Sequence, residues 1–195
     1  MWLEILRFLC VQKNCVYGNL IMLSCIFRVP LESVLRPFYE KAEHAGEDQM
    51  QVVRVRRRHI WKDALRAFAK HDFMAGVLIS VHFIGEEAAD MGGPRREFLR
   101  LLMRSLITES GVLTGSDKRK IFSSSPLLVA QKMYFHAGRM VATSVLQGGP
   151  GLKCLAPAVY AYLLADVDKC RRLVNVEDIP DLEFRDKVKK VLNFV

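Results

Sequence analysis

The stretch Val81 to Phe98 reads V-H-F-I-G-E-E-A-A-D-M-G-G-P-R-R-E-F, and its periodicity changes across the glycines. On the N-terminal side, Leu78 to Ile84 is apolar apart from Ser80 and His82. Those two lie two residues apart and share one face of an extended chain, so the segment predicts a half-buried strand that Gly85 ends. On the C-terminal side, Phe98, Leu101, Leu102 and Leu106 recur every three or four residues. That is the stripe of an amphipathic helix beginning at Pro94. Proline suits a first helical turn, where its missing N–H has no intrahelical partner to lose. Asp90, just upstream, is placed to cap free N–H groups and to meet the positive end of the helix dipole.

A glycine-rich turn between a strand and a helix raises the question of phosphate binding. The phosphate loop needs G-x-x-x-x-G-K-S/T, with a lysine that reaches phosphate oxygens. Here the turn carries Glu86, Glu87 and Asp90, and a proline stands where a donor would be needed. An anion would meet three carboxylates, so nucleotide binding is disfavoured. The plainer reading is a tight corner in which Gly92 and Gly93 supply backbone angles that other residues resist.

Outward from the corner, composition bounds the rest. The chain has 195 residues, 51% of them apolar and 26% charged, with a net charge of +8. A chain of this size buries roughly 70% of its unfolded surface and needs no covalent staples. The positive balance admits nucleic acid or a membrane surface as a partner without demanding either. The cysteines (Cys10, Cys15, Cys25, Cys154 and Cys170) are odd in number and form no C-x-x-C pair. Neither a disulfide framework nor a zinc pattern follows, and reduced thiols in the cytosol or nucleus are expected.

Residues 1–50 are expected to be an extension, unassigned in function. Cys15 to Phe27 is uncharged for about thirteen residues, short of the roughly 20 that a spanning helix needs. Glu4 precedes the apolar part, which argues against a signal peptide. A membrane role is therefore not expected. A helix is expected over Leu31 to Glu43 and a linker at Ala45 to Asp48.

The body, residues 51–195, opens with a predicted strand in which Val52, Val53 and Val55 alternate loosely with Arg54 and Arg56. Arg54, Arg56, Arg57, Arg58 and His59 make the densest basic run. A nucleic-acid patch would interleave aromatics, and only Trp61 is close, so a solvated strand face is favoured. Ile60 to Lys70 predicts a helix with Ile60, Ala64, Leu65 and Phe68 inside and Lys62, Asp63, Arg66 and Lys70 outside. In the helix after the corner, Arg96, Arg100 and Arg104 recur at four-residue steps along a solvated edge. Arg96 is expected to pair with a carboxylate of the acidic turn. Val112-Leu113 should pair with Ile121-Phe122 as a short hairpin. Pro126 to Leu146 is the longest helical pattern, with Val129, Met133, His136, Met140 and Val141 on the packed face and Phe135 and Ala142 beside them.

Gly138 inside that helix costs about 1 kcal/mol relative to alanine and suggests a close backbone approach. His136 is expected to be a satisfied core histidine, because no second ligand stands at metal spacing. Further helices are expected near Ala156 to Leu164, Asp166 to Leu173 and Leu182 to Phe194. Cys170 has Lys169, Arg171 and Arg172 as neighbours, which favour a thiolate. It has no visible base, and Cys154 has no recognisable active-site setting. No catalytic residue, cofactor or metal site is expected among these residues.

Two motifs carry a resemblance. Phe83-Ile84-Gly85-Glu86, then Asp90-Met91-Gly92-Gly93-Pro94, then Arg96-Glu97-Phe98 resembles the F-x-G-E-x-x-x-D-x-G-G-x-x-R-E-F signature near the start of HECT-type ubiquitin ligase domains. Tyr134-Phe135-His136-Ala137-Gly138-Arg139, followed by Ala142, resembles the family's helix carrying F-x-G-R-x-x-A. Gln147-Gly148-Gly149-Pro150-Gly151 is similar to a divergent, G2/M-phase-specific branch. The resemblance covers roughly Val52 to Val195 and implies an α+β, predominantly α-helical fold like a HECT N-lobe, with a few short strands. It implies that Gly85, Glu86, Asp90, Gly92, Gly93, Pro94, Arg96, Glu97, Phe98, Gly138 and Arg139 are structural.

By the same resemblance, partners would be a ubiquitin-conjugating enzyme or other ubiquitin-pathway proteins. Transfer in that family runs through a thioester on a cysteine in a separate C-terminal lobe, which this chain is expected to lack. Two other readings stand beside it: a non-catalytic interaction module of the same fold, and a basic nucleic-acid-binding domain.

Overall fold

Val53 and Val55 of one strand and Ile79, Val81 and Phe83 of another point the same way into the interior, and all five are buried. A computed structural model of the chain describes residues 50–86, 92–164 and 166–193, together with 33, 36, 37 and 40. The expected helix over Leu31 to Glu43, the linker after it and the thiols of Cys10, Cys15 and Cys25 lie largely or wholly outside the described residues.

Strand β1 (Gln51–Val55) pairs in parallel with β2 (Ile79–Phe83), Val53 opposite Val81 and Val55 opposite Phe83. A parallel pair needs a crossover. Helix α1 (Ile60–Phe68) makes it, entered through a 3₁₀ turn at Arg57–His59. Helix α2 (Gly93–Glu109) follows the corner. Its stripe of Phe98, Leu102 and Leu106 is fully buried, joined by Leu99 and Met103. The hairpin β3 (Leu113–Ser116) and β4 (Arg119–Phe122) forms as expected, with Leu113 opposite Phe122.

The long helix does not run unbroken. It divides into α3 (Pro126–Ala130) and α4 (Met133–Leu146) at Lys132, whose φ of 54° is left-handed. The break also rotates the packed face. Met133, Tyr134, Ala137, Met140, Thr143 and Ser144 are buried, while His136 and Val141 are only half-buried. Helices α5 (Pro157–Leu163), α6 (Val167–Leu173) and α7 (Leu182–Leu192) complete the described chain. The architecture is α+β and predominantly helical.

Helix α7 and the turn before it attach to the body more by ion pairs than by core. Neither α6 nor α7 buries a residue. A 3₁₀ turn at Val176–Asp178 precedes α7, and Asp178 takes two hydrogen bonds from the Arg119 guanidinium, at 2.6 and 3.0 Å. Glu177 of that turn holds Arg185 and Lys189 of α7 at 2.9 and 2.5 Å. No helix among the described residues is long and apolar enough to cross a membrane.

Candidate functional site

The corner is built by two left-handed glycines. Gly85 closes β2 with φ 91°, and Gly92 precedes α2 with φ 95°. An L side chain resists both angles. Gly93 is the first residue of α2 with ordinary φ, and Pro94 follows in the first turn, as its fixed φ favours. The N-cap residue of α2 is Gly92, which has no side chain with which to cap the helix itself. The expected cap, Asp90, lies outside the described residues, as do Glu87 and Met91.

What the corner encloses is a guanidinium. Arg57 donates from Nε and Nη2 to the two Glu86 oxygens, at 2.5 and 3.0 Å, and from Nη1 to Glu97 at 2.8 Å. Its guanidinium carbon lies 4.2 Å from the centre of the Phe83 ring. Four separate pieces of sequence thus meet: the 3₁₀ turn, the end of β2, the acidic turn and the first turns of α2. A cavity of about 180 Å³ beside them is lined by Arg57, Phe83, Glu86, Gly93, Pro94 and Glu97. Hydrogen bonding to Glu86 and Glu97 raises the Arg57 pKa still further, and the same guanidinium lowers that of Glu86. Among the described residues of the corner, the charged side chains of Arg57, Glu86 and Glu97 are therefore engaged with one another. Two carboxylates repel an anion there and the guanidinium repels a cation.

Arg96 is exposed, and the guanidinium on the Glu86 carboxylate belongs to Arg57, because the turn after β1 brings Arg57 directly over the end of β2. The other carboxylates expected for Arg96, those of Glu87 and Asp90, lie outside the described residues. Two expectations about charge are corrected. The basic run is not a solvated strand face throughout. Only Arg54 belongs to the strand, and both Arg56 and Arg57 hold carboxylates. Asp63, expected outside, is 8% exposed. It accepts from the Arg56 backbone N–H at 3.0 Å and from Arg56 Nε and Nη2 at 2.9 and 2.7 Å. Those bonds hold its carboxyl well below the usual carboxylate range.

The second motif brings Arg139 to the end of α1. Arg139 Nη1 donates to the Phe68 carbonyl at 2.7 Å and to Lys70 at 3.4 Å, and Nη2 donates to the Phe73 carbonyl. The side chain therefore satisfies carbonyls at the end of α1, which a helix leaves unbonded. It also lies 5.0 Å from the Phe73 ring and 5.5 Å from that of Phe135. Gly138 sits in mid-helix beside it, half-buried. Gln147 completes the bracing of the 69–78 loop, accepting from the Ile79 N–H at 3.1 Å and donating to Val77 at 2.9 Å. His136 is only partly satisfied, since its Nδ1 is buried without a hydrogen-bond partner. Burial, followed by the nearby Arg139 and Lys132 charges, lowers its pKa.

Two cysteines, Cys154 and Cys170, lie among the described residues, and neither is disulfide-bonded. Cys154 is buried, and that burial pushes its thiol pKa up, the reverse of what a nucleophile needs. Cys170 is half-buried on α6. No group of three or more His, Cys, Asp or Glu among the described residues could hold a metal ion. Arg57 is the residue that sequence reasoning missed as a hub. The available signal was its place at the end of β1, had the parallel pairing with β2 been known.

With this geometry in place, similarity to known proteins can be stated. No family model matches the chain. It is 26% identical over 132 residues to the G2/M phase-specific E3 ubiquitin-protein ligase of Homo sapiens, covering 66% of this chain and 18% of that protein. Against the ligase of the same description in Gallus gallus it is 26% identical over 141 residues, covering 70% of this chain and 18% of the other. It is 34% identical over 87 residues to the E3 ubiquitin-protein ligase HECW2 of Homo sapiens, covering 41% of this chain and 5% of that protein. The matched stretch spans under a fifth of these relatives' lengths. At low identity and over part of its length, the chain is related to HECT-like E3 ubiquitin ligases.

Proposed function

We propose that residues 51–195 form scaffold of a HECT N-lobe, a part of a ubiquitin-protein transferase that shapes the fold and does not itself carry ubiquitin. The observation that carries this reading is the arginine-centred corner. Phe83, Glu86 and Glu97 of the signature converge on Arg57, and the glycines and proline set the backbone around it. A motif whose carboxylates Glu86 and Glu97 are both held by an arginine from another part of the chain supports architecture rather than catalysis. The second motif supports the same reading, because Arg139 is fully employed on backbone carbonyls and aromatic rings.

In such a protein the thioester-forming cysteine lies outside these residues, and the partners are a ubiquitin-conjugating enzyme and ubiquitin itself. Nucleic acid is the weaker partner, since Arg56 and Arg57 of the basic run already hold carboxylates. Two measurements test the proposal. Mixed with ubiquitin-charged conjugating enzyme, the chain should form no adduct that a reducing agent releases. A reducible ubiquitin adduct on any of its cysteines overturns the scaffold reading. Grafted in place of the matching stretch of the human G2/M phase-specific ligase, residues 52–195 should preserve that protein's ligase activity. A folded but inactive chimera would reassign the chain to a non-catalytic interaction module.

A further inference from the structure

We infer that the groove between β1 and α1 is a docking site for an extended acidic peptide, which adds a third strand along the outer edge of β1. This goes beyond the scaffold reading and does not depend on it. The first observation is the edge itself. Gln51 N–H donates to Leu78 and Ile84 N–H donates to Val55, at 2.8 and 2.9 Å. Gln51, Val53 and Val55 therefore turn their backbone groups toward β2, and the alternation of a strand turns those of Val52 and Arg54 the other way. The next outward N–H, that of Arg56, meets Asp63 of α1. Among the described residues no backbone group pairs with Val52 or Arg54 on that side. A bare strand edge is a template for another strand, and peptide recognition by strand addition uses it.

The second observation is the lining. A groove of about 420 Å³ lies between this edge and α1. Its apolar part is Val52, Ile84 and Ala67, with Val52 47% and Ile84 59% exposed. Parallel strands are ordinarily covered on both faces, so such exposure on the outer face is unusual. Its polar part is Arg54, Arg66 and Lys70, all exposed. The one carboxylate, Asp63, is already neutralised by Arg56, and Arg66 leans on it at 3.8 Å while staying 67% exposed. The groove thus offers backbone partners, apolar contact and uncompensated positive charge together. An extended peptide alternating acidic and apolar side chains satisfies all three, whereas a nucleic acid would leave the strand edge unused.

The test uses a fluorescein-labelled peptide of about six residues, an ordinary strand length, alternating glutamate and valine. Binding to the full chain is followed by fluorescence anisotropy. The peptide should bind, weaken with rising salt, and outcompete both a lysine-for-glutamate version and a single-stranded oligonucleotide of equal charge. The double variant Arg54→Glu/Arg66→Glu should bind at least about tenfold more weakly. Val52→Pro should also weaken binding. It removes an outward N–H and leaves the ladder to β2 intact, a position where an edge strand tolerates proline. Circular dichroism melts report whether each variant folds. If Val52→Pro does not, the charge-reversal variant alone decides. Failure of the acidic peptide to bind, equal binding of the lysine peptide, equal competition by the oligonucleotide, or unchanged affinity in the folded variants would each overturn the inference.

Discussion

Gly92 and Gly93 are adjacent and identical, yet the structure assigns them opposite responses to alanine. At Gly92, φ is 95° and ψ is −18°. The nearest atom to an added Cβ is Arg95 Nη2 at 3.9 Å, so space is not the obstacle. The cost is conformational: a left-handed angle costs an L residue about 1–2 kcal/mol. Gly93 has ordinary φ, lies inside the first turn of α2, and would present its Cβ to open space. Alanine there removes freedom from the unfolded chain and should stabilise by about 0.4–1 kcal/mol. For a chain of this size, 1 kcal/mol moves the melting temperature by about 2–4 °C. Gly92→Ala should therefore melt about 2–8 °C lower than the parent and Gly93→Ala slightly higher, by circular dichroism at matched concentration. Gly92→Asn should lose less than Gly92→Ala, because asparagine tolerates left-handed angles better. Equal losses at the two positions, or a greater loss at Gly93, would refute the assignment of the corner's geometry to Gly92.

Three further outcomes follow from the packing and the charges. Phe98→Ala empties a site with 0% exposure and should cost about 3–5 kcal/mol, seen as a large drop in the urea midpoint. Arg139→Ala should destabilise by about 1–3 kcal/mol by leaving carbonyls at the end of α1 unbonded. Hydrogen exchange should rise selectively over residues 69–78, and Arg139→Lys should restore only part of the protection. Asp63 has a native pKa held below its unfolded value by Arg56. Its contribution is therefore complete above the unfolded carboxylate pKa of about 3.9 and is lost as pH falls below it toward the native value. Asp63→Asn should flatten that acid limb of the urea midpoint and lower the plateau above it.

The parts of the fold legible from sequence were those written in one element. The Phe98, Leu102 and Leu106 stripe, the Leu113–Phe122 hairpin and the strand alternation at Val53 and Val81 each depend on residues a few positions apart, where period and burial coincide. Asp63 was misplaced because helical period knows only which side of α1 it occupies. It does not know that Arg56, seven residues back, arrives at that side with a backbone N–H and a guanidinium. Arg57 was missed for a similar reason: its partners Glu86 and Glu97 come from two later elements, and only the parallel register brings them to it. The division at Lys132 has no local signal, since neither proline nor glycine stands there. The two motifs were recognisable as patterns, but that each is centred on an arginine was visible only once the chain was folded.

The Arg119–Asp178 pair has a mechanical meaning. Helix α7 buries nothing, so the load it can pass to the body travels mainly through Glu177, the short turn and that one two-pronged ionic link to the hairpin. A force applied at the far end of α7 would be felt first at β4, not in the apolar interior. High salt weakens such a coupling while leaving a hydrophobic one intact, so the tail's tether and the body's cohesion respond to different solvents.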